Sequence, residues 1–322
     1  MKKRPALYAV LALVVVLVGA AIAWKLLPRK TTVVEYPMSV PTDIPTAVAV
    51  APDGSVWFTI DFGEGVGLIK DGRLQRVPKK GRSVEPIGLA VDANGTAWFT
   101  DPSAIAVSRI NALGETQSYP LGTPIARLAR LAVAPDGAVW FAESTSYSIT
   151  RLKEGVLQRH DIQSLRGGPY GVSVGSDGTV WATLQSANQL LRITPSGELT
   201  QFDVPTQGAS PTDVAVDSQG GVWLLEFRGN KVARFADGKF TEFPLPEGNA
   251  APSGITVAPD GGVWFGILRG GGLGRLRDGK IVFFKLPREN ARPYTLAADT
   301  KGNIWYADIS GYVGMIPAAA AR

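Results

Sequence analysis

Four acidic residues stand at one repeated place in this chain. Asp101, Glu143, Glu226 and Asp308 each lie three residues after a tryptophan. A second repeated place follows a proline: Tyr170, Thr212 and Tyr294 each come directly after one, and Arg292 directly precedes the proline before Tyr294. Paired carboxylates can exchange protons with a substrate or hold a hard cation through oxygen. They can also be simply solvated, or cap backbone N–H groups. If these places share one concave surface, Glu143, Glu226 and Tyr294 are the candidates for catalysis. Asp101, Glu143, Tyr170, Thr212, Glu226, Arg292, Tyr294 and Asp308 are the candidates for ligand contact. No residue set has the spacing of a dedicated metal site, and the absence of cysteine removes thiolate ligands and disulfides.

What positions these residues is a repeat. Tryptophan recurs at Trp57, Trp98, Trp140, Trp181, Trp223, Trp264 and Trp305, at steps of 41 or 42 residues. Twelve residues before each stands Pro45, Pro86, Leu128, Pro169, Pro211, Pro252 or Pro293. Between proline and tryptophan runs an apolar strand and a turn, as in GITVAPDGGVWF. A third strand, an Asp-Gly turn such as Asp237-Gly238, and a fourth strand such as KFTEFPLP complete the unit. Four short strands at this period are the signature of propeller blades. The Asp-Gly pairs supply the positive φ of hairpin turns, and Val, Ile, Phe and Trp suit half-buried strands. The fold expected is all-β: a seven-bladed propeller of four-stranded blades, with the tryptophans packed between blades.

Thr46 and Ile60 are equidistant from the turn at Asp53, so they should face each other at the open end of the first hairpin, beside the central channel. The same reasoning in every blade sends the residue after proline and the residue three past tryptophan to one channel mouth. A concave mouth with convergent polar groups is the default site. Arg109, Arg151, Arg192, Arg234 and Arg275 recur eleven residues after tryptophan, and such repetition points to architectural ion pairs. His160, the only histidine, falls on a fourth strand where other blades carry Phe202 or Phe243, and so belongs to the outer rim.

The ends of the chain fit the same scheme. The last unit has three strands, and the missing fourth is found at residues 32–37, which should close the ring and remove exposed strand edges. The propeller is then expected over residues 31–322, after an N-terminal segment, 1–30. Residues 7–24 carry no charge and, as a helix, would reach across a bilayer core. Their length favours a single-pass anchor over a cleaved signal peptide, for which Ala21-Ile22-Ala23 offers a small-residue cleavage site. Either reading carries the propeller to the extracytoplasmic side of the cytoplasmic membrane. The net charge of +5 gives no nucleic-acid footprint, because Lys2, Lys3, Arg4, Lys25, Arg29 and Lys30 all flank this segment. A ring that closes on itself points to a monomer.

The units resemble the repeat of the virginiamycin B lyase (streptogramin lyase) family, through sequences such as PSGITVAPDGGVWF and KFTEFPLP and the stretch Asn290-Ala291-Arg292-Pro293. The resemblance runs from Thr32 to Ile316. It implies a seven-bladed propeller that linearises cyclic depsipeptide antibiotics by elimination, with a magnesium ion, catalytic histidines after proline and a glutamate three past tryptophan. Here the residue after Arg292-Pro293 is Tyr294, and no blade has histidine after its proline. Tyrosine, with an unperturbed pKa of about 10, is a poor base at neutral pH. The expectation is therefore a binding propeller without lyase activity, taking a small molecule or peptide at the channel mouth. The alternative is a metal-dependent lyase, or a lactone-acting hydrolase, that uses channel carboxylates.

Overall fold

The computed structural model describes residues 33–63, 65–79, 86–122, 127–163, 168–246 and 248–320. Its strands form seven four-stranded antiparallel sheets. Blades 1 to 6 each use four consecutive strands. Blade 7 joins Pro293–Ala298, Ile304–Asp308 and Tyr312–Ile316 to the first strand of the chain, Val34–Pro37. The innermost strand of each blade packs beside that of the next, and that of blade 7 beside that of blade 1. The expected propeller and its closing strand are both present. The closing strand begins at Val34, two residues inside the expected range. Among the described residues no helix is long and apolar enough to cross a membrane. The expected anchor, residues 7–24, lies outside the described residues.

Each seam between blades is filled around one tryptophan. Trp57 packs on Ala97, Phe99 and Ile110 of blade 2. Trp98 packs on Val139 and Phe141 of blade 3. Trp140 then meets Val180 and Leu191, and Trp181 meets Val222 and Leu224. Trp223, Trp264 and Trp305 repeat the contact onto blades 6, 7 and 1. A large flat side chain on the second strand can reach across a seam, and an aromatic ring carries more buried area than any aliphatic residue. The fourth strand adds a ring behind most of these tryptophans. Tyr36 lies 6.1 Å from Trp305, Tyr119 5.7 Å from Trp98, and Phe284 4.8 Å from Trp264. His160 fills this role in blade 3, 5.3 Å from Trp140. Burial, followed by the nearby Arg151 guanidinium, lowers its pKa and favours neutral imidazole.

The two classes of Asp-Gly turn differ. In the turn between third and fourth strands both residues take positive φ, as at Asp237 (51°) and Gly238 (73°), the mirror-image hairpin turn. In the turn between first and second strands only the glycine does, as at Gly54 (85°), and the aspartate side chain is free to accept hydrogen bonds. Asp53 Oδ1 accepts from the Ser55 N–H and hydroxyl. In three blades the aspartate before the turn also holds the tryptophan, with Trp98 Nε1 donating to Asp92 and Trp223 Nε1 to Asp217. Four of the five recurring arginines serve the same corner from within the blade, each lying over its tryptophan. Arg151 lies over Trp140 at 5.9 Å and pairs with Asp136 at 2.8 Å, and Arg275 lies over Trp264 at 5.6 Å and pairs with Asp260 at 2.7 Å.

Closure of the ring is secured by a network of hydrogen bonds and ion pairs. Glu35, on the closing strand, lies opposite Gly314, where a Cβ would sit 2.1 Å from a ring atom of Tyr306. That glycine lets Tyr306 pass under the strand and donate its hydroxyl to Glu35 Oε1 at 2.8 Å. Arg288, from the loop between blades 6 and 7, donates to both Glu35 oxygens at 3.0 Å, to Asp308 at 2.6 Å and to Ser310 at 2.5 Å. Its guanidinium lies 3.7 Å from the Tyr312 ring centre. One cation thus neutralises two largely buried carboxylates from opposite ends of the sequence. Removing it strands both charges, a loss of about 3 kcal/mol or more. Arg288→Ala should therefore destabilise the protein by about that much in chemical denaturation. Glu35→Ala should cost less, because Arg288 keeps Asp308 and Ser310. A smaller loss for Arg288→Ala than for Glu35→Ala would contradict this assignment.

Candidate functional site

The channel brings two of the sequence candidates into contact. Tyr170 of blade 4 and Tyr294 of blade 7 share a hydroxyl–hydroxyl hydrogen bond of 2.7 Å across 124 residues of sequence. Both follow the proline of an innermost strand, where the pairing register slips, at Pro169/Val172 and at Pro293/Thr295. Such a bulge bends the strand and re-aims its side chains, here toward the axis.

Two further channel residues, Arg130 and Asp213, were not among the sequence candidates. The Arg130 guanidinium carbon lies 5.7 Å from the Tyr170 ring centre and 5.2 Å from that of Tyr294. Its Nη1 donates to the Ile87 carbonyl at 2.6 Å, and its Nη2 lies 3.7 Å from Asp213 Oδ2. Residues of blades 2, 3, 4, 5 and 7 therefore meet in one cluster. Burial opposes the charge on Arg130, but Asp213 and the two tyrosines outweigh it and hold the pKa above the usual guanidinium value. The Tyr170 hydroxyl is pushed well above the usual phenol range, chiefly by burial. A sequence signal for Arg130 and Asp213 does exist. Two residues after proline, or after Leu128 in blade 3, the blades carry Ala47, Gly88, Arg130, Gly171, Asp213, Gly254 and Thr295. Five of these are small or uncharged, and the two exceptions carry opposite charges.

Three of the four carboxylates are engaged by donors of their own blade or of the connection leading into it. Asp101 accepts from Lys79 Nζ at 2.9 Å. Glu143 accepts from the Thr150 hydroxyl. Asp308 has both oxygens engaged, one by Arg288 and the other by the N–H of Arg292 and by Ser310. Glu226 is fully buried at the end of its strand, and neither oxygen meets a donor in hydrogen-bond geometry. Its neighbour across the hairpin is Lys231, which bonds Glu242 at 2.5 Å and Thr206 at 2.6 Å. The physical reason for this scatter is the orientation of a blade. Its sheet faces look at the adjacent blades, so a second-strand side chain enters a seam rather than the channel. Thr212 has its carbonyl bonded to the Thr183 hydroxyl, and its own hydroxyl is buried without a partner. Arg292 is exposed.

The fold and this cluster define a seven-bladed propeller whose channel is crossed by polar side chains. Models of the virginiamycin B lyase family match residues 26–163 and 73–321, and the chain belongs to that family. A virginiamycin B lyase of Nocardia farcinica is 33% identical over 156 residues, 48% of this chain and 53% of that protein. The chain thus spans about half the length of this curated relative. The crystal structure of a catalytically inactive virginiamycin B lyase from Staphylococcus aureus with quinupristin superposes with a TM-score of 0.84 at 26% identity, covering 89% of this chain and 99% of that one. The hydrazine synthase of Kuenenia stuttgartiensis, at 17% identity and a TM-score of 0.72, shares the fold.

The residues gathered here do not fit the magnesium ion that the family resemblance implies. Among the described residues no three acidic or histidine side chains come together as a donor set. Both oxygens of Asp308 are spent on protein donors, and the channel already contains the guanidinium of Arg130. A hard cation requires several free oxygens and repels a fixed positive charge.

Burial of Glu226, followed by the nearby Glu242 carboxylate, raises its pKa from 4.5 to about 7. An acid with a raised folded pKa contributes full stability below its unfolded pKa and loses it as pH rises through the folded value. Glu226→Gln, which keeps the shape without the charge, should match the wild type in stability at acidic pH below 4.5 and exceed it above pH 7. Thermal melts across that range provide the check, and a variant less stable than the wild type in alkali would refute the assignment.

Proposed function

We propose that this protein is a ligand-binding propeller without streptogramin lyase activity, tethered by residues 7–24 to the cytoplasmic membrane with the propeller on the extracytoplasmic side. Its ligand is a small molecule or peptide taken at the channel mouth, and a single chain suffices because the ring closes on itself. The observation that carries this reading is the state of Tyr294. It stands where the family resemblance implies a catalytic histidine, and its hydroxyl is tied to Tyr170 beside Arg130. An elimination needs a base of suitable pKa within hydrogen-bond reach of the proton it takes. Burial pushes Tyr170 away from such a value.

One observation favours a second reading, in which channel carboxylates support lyase or lactone-hydrolase chemistry. Glu226, with a pKa of about 7, has the proton affinity of a general base. Against it, both of its oxygens are buried. Mass spectrometry of quinupristin incubated with the wild type, Tyr294→His and Glu226→Gln decides between the two. The proposal expects no linearised product from the wild type. Rapid wild-type turnover that Glu226→Gln abolishes would establish the second reading instead.

A further inference from the structure

The channel cluster has more hydrogen-bond donors than acceptors. Arg130 offers five N–H groups. One meets the Ile87 carbonyl at 2.6 Å, and Asp213 is reached only at 3.7 Å. Its Nε is buried without a partner. Asp213 spends part of its acceptor capacity on the Val214 N–H, at 3.1 Å. The two tyrosine hydroxyls share one hydrogen bond, which uses one of their two protons. The Thr212 hydroxyl, on the residue beside Asp213, is buried and unpartnered.

The charges point the same way. The side chains of Arg130 and Asp213 are 9% and 14% exposed, so both charges sit where water screens them little. Their separation is longer than a bonded ion pair, and the guanidinium is left incompletely neutralised. Arginine does not lose its proton in a protein. The aromatic rings of Tyr170 and Tyr294 lie 5.7 and 5.2 Å from the guanidinium carbon, and Nε is the donor left without a protein acceptor.

We propose that Arg130 is a fixed cation built into the channel, and that it makes the site a receptor for a carboxylate-bearing ligand that binds without a divalent metal. The ligand's carboxylate accepts hydrogen bonds from Arg130 and from the tyrosine hydroxyl that is still free to donate, while its apolar part lies against the tyrosine rings. This inference rests on the binding reading above and adds the chemical class of the ligand.

Three probes of similar shape test it: benzoate, benzamide and benzylammonium, each titrated calorimetrically into the full protein with magnesium and with EDTA. Benzoate should bind, benzamide should bind about tenfold more weakly, the scale of a hydrogen bond to a charged group, and benzylammonium should not bind. EDTA should change nothing. Arg130→Met should weaken benzoate about tenfold or more, and Tyr294→Phe should weaken it while leaving the core in place. Benzylammonium binding as tightly as benzoate, a requirement for magnesium, benzoate affinity unchanged in both variants, or no heat from any probe would each overturn the inference. The comparison of the three probes on the wild type is decisive even if Arg130→Met does not fold. Binding of benzamide or benzylammonium alone would overturn the anion assignment and leave the binding reading intact, whereas quinupristin turnover would sink the binding reading itself.

Discussion

The pairing of Val34–Pro37 with Tyr312–Ile316 is the constraint on which the other features depend. A propeller blade cannot bury either of its faces alone. Each face needs a neighbour, and seven blades provide seven seams only if the last meets the first. The closing strand gives blade 7 its fourth strand, and Tyr36 then backs Trp305 as Tyr119 backs Trp98. Arg288 fixes the strand by joining Glu35 to Asp308, so a residue that could have served the channel is committed to the ring. The channel depends on the same closure. Tyr294 belongs to blade 7, and it reaches Tyr170 and Arg130 only when the circle is complete.

The fold was legible because its determinants repeat. One tryptophan every 41 or 42 residues fixes the seams, and the glycine turns fix the hairpins. The incomplete last unit, set against the spare strand at the start, reveals the closure. What repetition does not convey is direction. The aspartates of the first turns look alike as letters, yet Asp53 braces its own turn while Asp92 braces its turn and holds an indole as well. Four of the five arginines eleven residues after tryptophan turn back onto that tryptophan within the blade, and Arg192 lies over Phe202 instead, which spacing alone could not distinguish from pairing across a seam.

The candidate site was legible in part, for the same reason. Tyr170 and Tyr294 lie on innermost strands, where a side chain can reach the axis, and they meet there. Asp101, Glu143, Glu226 and Asp308 lie one strand further out, and the pleat turns them into the seams. Equal distance from a turn places two residues side by side in a hairpin, but it does not aim both side chains at the channel. Arg130 and Asp213 were hidden by the opposite fault. They occupy a slot filled elsewhere by small residues, and a departure from a repeat is read only when attention is given to what fails to recur. Those departures give the channel its own chemistry within a shared scaffold, and fold alone does not determine function.

Hydrogen exchange at the backbone amides of the closing strand tests the central claim most directly. If closure holds the ring as one cooperative unit, the amides of the closing strand that bond to Tyr312–Ile316 should open only with the rest of the propeller, and their protection should match that of the innermost strands Pro169–Val174 and Pro293–Ala298. Exchange of the closing strand at the rate of a frayed terminus, with the innermost strands still protected, would show that the ring stands without it and would contradict the account.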